Sequence, residues 1–107
     1  MIKAKIHTKI FFEGSRQVER KIVAICDSDL LGKVFEQGER VLDLQKYRSF
    51  YEGEFVSEKK VGEMLKDAAN INLVGEKAII AAGKVLKIEK KSVLKIKGVP
   101  HLQIYRI

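Results

Sequence analysis

The chain has one cysteine, one proline and no tryptophan in 107 residues, and aromatics make up only 7%. Each shortage removes a class of protein. The lone thiol, Cys26, closes no intrachain disulfide, which excludes the stapled scaffold of a small secreted domain and makes a reducing cytosol the expected compartment. Absent too are a CxxC pair, an HExxH, a Walker A loop and a GxGxxG after a strand. Structural zinc, nucleotide hydrolysis and dinucleotide redox chemistry are thereby disfavoured, and no metal or cofactor is expected. No run approaches the roughly 18 apolar residues that span a bilayer. The longest, Leu73 to Leu86, carries three charges and two glycines, and the first apolar run is broken by Lys3, Lys5 and Lys9, unlike a secretory signal. Membrane insertion is not expected.

What is present describes an ordinary folded domain. Hydrophobic residues reach 46% and charged residues 33%, apolar enough to offset chain entropy, and the length suits a single domain over residues 1–107. The net charge of +7 is uneven: Met1 to Glu54 holds ten Lys and Arg against nine Asp and Glu, Phe55 to Ile107 eleven against five. Six of these cations, Lys84, Lys87, Lys90, Lys91, Lys95 and Lys97, share one short stretch with a single Glu89. Such a stripe attracts polyanions, and RNA backbone is the abundant cytosolic one; the alternative is a solvated, lysine-rich surface.

Met1 to Phe12 alternates apolar and polar residues as a half-buried strand does, with Ile2, Ala4 and Ile6 opposite Lys3, Lys5 and His7. Gly14 and Ser15 signal a turn into Lys21 to Cys26, giving an antiparallel hairpin. His7 is read as a solvated residue with no role. Asp27, Ser28 and Asp29 offer acceptors for a short helix through Leu30 to Phe35. Strands are expected at Arg40 to Leu44 and Glu54 to Val56. Between them Tyr47, Phe50 and Tyr51 anchor a long loop to the core or, on the second reading, stack on unpaired bases beside Lys46 and Arg48. Ser57 caps a helix running to Ala69. Asn70 to Leu86 is so apolar that it reads as a buried core helix, capped by Asn70 or Asn72 with Glu76 in its first turn. Ser92 to Ile96 and Leu102 to Ile107 read as strands around a Gly98 to His101 turn that Pro100 stiffens. The expected fold is α+β, a mixed, largely antiparallel sheet of about five strands with the two longer helices packed on one face.

Strand ends and helix starts often converge at one end of such a sheet, which makes Cys26, Asp27, Asn72, Glu76 and His101 candidates for one polar pocket. Cys26 with His101 has the residue types of thiol catalysis, with Asp27 as a third polar group; the plainer reading is an inert buried thiol and a turn histidine. Asn72 and Glu76 are ligand-contacting candidates whose plainer role is helix capping.

The segments VAICDSDLLGKVFEQGERVLDL, FYEGEFV, NLVGEKAI and KGVPHLQI, in that order, resemble successive blocks of the archaeal family catalogued as domain of unknown function 424. The family-like residues are Cys26, Asp27, Gly32, Asn72, Gly75, Glu76, Gly98, Pro100 and His101, and the departure is KIEKKS, where the family pattern tends to an acidic loop. The resemblance implies a small archaeal cytoplasmic protein without established activity and in the company of translation. Charge and resemblance together favour a non-enzymatic RNA-binding or ribosome-associated protein, with the six lysines as phosphate contacts. The alternatives are a small enzyme or ligand-binding domain built on the five-residue pocket, and an adaptor for a protein partner.

Overall fold

The computed structural model describes residues 1–106. Alternation in the first 27 residues builds a long antiparallel hairpin, β1 (Ile2–Glu13) and β2 (Arg16–Asp27), in unbroken register from Ile2 opposite Asp27 to Glu13 opposite Arg16. The turn places Gly14 at φ +63°, where a side chain costs about 1–2 kcal/mol. Only the base of this hairpin joins the main sheet. β5 (Glu54–Val56) pairs with β1 over Ile2 to Ala4, and β6 (Ala68–Val74) pairs with β2 over Lys21 to Cys26. Beyond them Thr8 to Arg20 project as a two-stranded arm, roughly 20 Å long at the usual rise per residue.

β7 (Leu94–Ile96) and β8 (Val99–Tyr105) complete a six-stranded sheet in the order β5-β1-β2-β6-β8-β7, antiparallel except at β2–β6. This is the expected mixed, largely antiparallel α+β fold, with six strands in place of about five. A separate small hairpin forms from β3 (Val34–Gln37) and β4 (Arg40–Asp43). The helices are α1 (Arg48–Tyr51), α2 (Glu58–Leu65) and α3 (Glu76–Gly83). Ser57 caps α2 as its sequence predicts, its side chain accepting from the Lys60 amide at 3.1 Å, but the helix stops at Leu65 and Ala68 begins β6.

Both sheet faces are covered. On one, Ile2, Val23, Ile25, Ile71, Leu73 and Leu102 pack against Val61 and Leu65 of α2 and Ala78, Ala81 and Ala82 of α3. On the other, Ala24, Cys26, Val74, Ile96 and Val99 pack against Leu42, Leu44 and Tyr51 from β4 and the chain leading through α1. The aromatic segment does anchor its loop to the core, through Tyr51; Tyr47 stays exposed.

The expected core helix over Asn70 to Leu86 is in fact a strand followed by a helix. Ile71 and Leu73 enter one core while Asn72 and Val74 face the other, and a strand buried on both faces shows the same continuous apolar run as a buried helix. Gly75, at φ +103°, separates them. Asn70 and Asn72 therefore cap nothing; Asn70 Oδ1 is buried without a partner among the described residues. The short helix expected over Leu30 to Phe35 is a 3-10 turn at Ser28–Leu30 followed by β3. The Leu44 carbonyl accepts from the Gly32 amide and the Leu44 amide donates to the Lys33 carbonyl, so sheet pairing replaces a helix too short to persist alone. The last turn is Lys97–Gly98, and Pro100 and His101 lie within β8. Of the strand expected to end at Ile107, that last residue lies outside the described residues.

Candidate functional site

The sheet face opposite α2 and α3 carries the site. Strand alternation turns Asn72 of β6 and His101 and Gln103 of β8 to this side, and the register sets Asn72 directly opposite Gln103. The β3–β4 hairpin and α1 cover the face without closing on it, leaving a 350 Å³ cavity between Leu42, Asp43 and Leu44, the rings of Tyr47, Phe50 and Tyr51, and the three polar strand residues. Gln103 Nε2 donates to Asn72 Oδ1 at 2.7 Å. His101 Nε2 is buried with no partner among the described residues, and burial pushes its imidazole below the ordinary value of 6.5. Asp43 is already committed: its Oδ1 accepts from the Gln45 and Lys46 amides at 3.1 and 2.8 Å.

Of the five residues expected in one pocket, Asn72 and His101 share this cavity and the other three do not line it. Cys26 is wholly buried and its Sγ donates to the Asp27 carbonyl at 3.2 Å. Cys26 pairs with Val74, which pairs with His101, so two ladder steps put thiol and imidazole strands about 10 Å apart with Val74 between them. Burial first, then the charges of Asp27 and Asp29, push the thiol up to about 12. A thiol so placed is structural. Asp27 reaches across to α3, accepting from the Lys77 amide at 3.1 Å and the Ala78 amide at 2.8 Å. Burial raises its pKa, those two hydrogen bonds opposing the rise. Glu76 lies on the other side of the sheet, lining a 570 Å³ groove with Ile80, Lys90 and Lys95. Among the described residues no three His, Cys, Asp or Glu side chains are grouped to hold a metal ion.

The six lysines differ in their local settings. Lys84 pairs with Glu58 of α2 and Lys91 with Glu89. Lys90 and Lys95 flank the Glu76 groove, Lys87 lies near Tyr105, and Lys97 sits at the β7–β8 turn, its amide donating to Gln37 Oε1 at 2.7 Å.

The projecting arm gathers cations more closely. Its register puts Lys9 directly opposite Arg20 and Glu13 opposite Arg16, all on the cavity side of the sheet by alternation from Lys3 and Lys5. Lys9, Arg16 and Arg20 form no ion pair among the described residues, whereas Lys3 pairs with Glu52. Phe11 lies exposed on the same side. His7 is not merely solvated. Its ring stacks on Phe50 with centroids 4.5 Å apart and its Nε2 lies 2.9 Å from the Phe50 carbonyl oxygen, joining the foot of the arm to the cavity wall.

The residues missed from sequence are Gln103, Lys9, Arg16 and Arg20. Each sat in view as one polar residue among many, and only the pairing register, which a linear reading lacks, shows which ones meet.

A crystal structure of an uncharacterized conserved protein from Methanopyrus kandleri has the same fold at TM-score 0.66 and 25% sequence identity, over 95% of this chain and 91% of that one. No curated protein matches the sequence. Residues 15–107, from the hairpin turn onward, match the family model described as Protein of unknown function (DUF424). With most of its length inside that match, the chain belongs to the DUF424 family.

Proposed function

We propose that this chain is an RNA-binding protein, acting without catalysis of its own in a ribosome or another translation-associated assembly. One observation carries the reading: Lys9 and Arg20 stand directly opposite each other on an exposed arm. Like charges at facing positions destabilise a strand pair, and a hairpin with two free edges is marginal in water to begin with. A sugar–phosphate backbone laid along that face turns the repulsion into two phosphate contacts. Arg16 and Phe11 extend the surface, one for phosphate and one for an unpaired base.

The thiol route to an enzyme loses its support, since Cys26 is buried and Val74 stands between it and His101. The lysines of the C-terminal half are secondary contacts, because Lys84 and Lys91 are paired with carboxylates and Lys95 faces Pro100, not a second cation, across its ladder.

Binding of a labelled single-stranded RNA across a salt series tests the proposal. Lys9→Ala with Arg20→Ala should weaken binding to every sequence alike and flatten the log–log salt slope by about 1.4, some 0.7 for each phosphate contact removed. An unchanged slope would overturn it.

A further inference from the structure

We infer that the 350 Å³ cavity under the β3–β4 hairpin receives one unpaired nucleobase of the bound RNA. The inference rests on the RNA-binding reading and adds to it a site that takes the base and not the phosphate.

The lining separates the two. Among the described residues, Asp43 is the only ionisable acid or base lining it besides His101 and the tyrosines, and no Lys or Arg lines it. A phosphate gains nothing there, and its cations lie outside, on the arm. The volume is at the small end of ligand pockets, about 300–1,000 Å³, and accommodates one planar heterocycle.

The polar groups match a base edge. With Gln103 Nε2 donating to Asn72 Oδ1, the second groups of the two carboxamides, Asn72 Nδ2 and Gln103 Oε1, have no partner among the described residues. Turning both amides over exchanges their roles and still leaves one donor beside one acceptor. Every base presents an acceptor next to a donor on its Watson–Crick edge, so the pair recognises the class without fixing the letter. His101 Nε2, buried and unpartnered, belongs to the same cavity. For the base faces there are rings: Tyr47 is 54% exposed at the rim, and single-stranded nucleic acid binds aromatic faces in this way.

Continuity with the arm supplies the path. The cavity and the Lys9–Arg20 face lie on one side of the sheet, and the His7 stack on Phe50 links them. A strand held by its phosphates on the arm passes the rim, where one nucleotide can turn inward.

The test compares three ten-nucleotide oligomers of equal charge, oligouridylate, oligoadenylate and an abasic ribose-phosphate chain, on the full-length protein at fixed salt. At least one base-bearing oligomer should bind about tenfold or more tighter than the abasic chain and alter tyrosine fluorescence. Gln103→Leu and Tyr47→Ala, both at exposed positions that leave the core intact, should each erase that preference without changing abasic binding. Lys9→Glu should weaken all three oligomers equally. If base-bearing and abasic chains bind alike, or if both cavity variants keep the preference, the base pocket is wrong while RNA binding by the arm stands. If no oligomer binds, both proposals fall.

Discussion

Cys26 and His101 show how one residue's surroundings decide what its chemistry is used for. Burial pushes the Cys26 thiol up to about 12 and the side chain is wholly enclosed, so the nucleophilic thiolate is scarce at pH 8 and out of a reagent's reach. Native protein should therefore resist iodoacetamide at that pH and be alkylated once unfolded, with labelling followed by mass spectrometry; rapid native labelling would contradict the burial described. For His101 the shift runs downward from 6.5, so folding favours the neutral ring. Its stabilising contribution is complete above pH 6.5 and is lost as pH falls through that value toward the folded one. The melting temperature of the wild type should fall more between pH 7 and pH 5 than that of His101→Gln. Lys9 offers a third case, because one change separates fold from function. Lys9→Glu places opposite charges across from Arg20, which should stabilise the arm by about 0.2–1 kcal/mol while weakening RNA binding. A variant that both binds and melts like the wild type would leave the like-charge pair without consequence.

At the scale of elements, the joint at Gly75 organises the centre of the molecule. A Cβ there would lie 2.2 Å from Asp27 Cγ, and φ is +103°. Gly75→Ala should cost about 1–3 kcal/mol from the backbone conformation alone, seen as a lower urea midpoint at unchanged slope. Asp27→Ala removes the acceptor for two amides at the start of α3, one of them buried, at a cost of about 1–3 kcal/mol. This joint also marks the limit of what could be read in advance. The β1–β2 hairpin, β4, β5 and the Ser57 cap were legible because each declares itself locally, by alternation, by turn residues or by a side-chain acceptor. β6 was not, since burial on both faces erases the alternation that identifies a strand. Asp27 was expected to open the helix that follows it in sequence; instead it caps α3, fifty residues on. Of the site, Asn72 and His101 were named from sequence, but as a helix opening and a turn residue, whereas both lie within strands; Gln103 was not named, because its importance comes from facing Asn72 across a ladder.

For the molecule as a whole, the question is whether binding follows total charge or its placement. Replacing Lys9–Arg20 with a two-residue Asn-Gly turn between the facing partners Thr8 and Lys21 removes Lys9, Arg16 and Arg20 together with Glu13 and Glu19, so the net charge falls only from +7 to +6. The shortened protein keeps every strand pair of the main sheet except the arm's own, and it should melt as a folded domain. RNA affinity should drop at least as far as in the Lys9 and Arg20 double variant; affinity scaled to the single lost charge would point to the lysines of the C-terminal half instead.

The parallel ladder between β2 and β6 has a consequence of its own. Among the described residues it is the only strand pairing between the half of the sheet built from β5, β1 and β2 and the half built from β6, β8 and β7. Its amides lie under both cores, so they should trade hydrogen for deuterium only when the entire domain opens, at the slowest rate in the protein. The arm's amides, a few residues along the same β2 strand, should exchange fastest. One continuous strand would then hold both extremes of protection, its inner end recording the global stability and its outer end slowing only when a partner is bound.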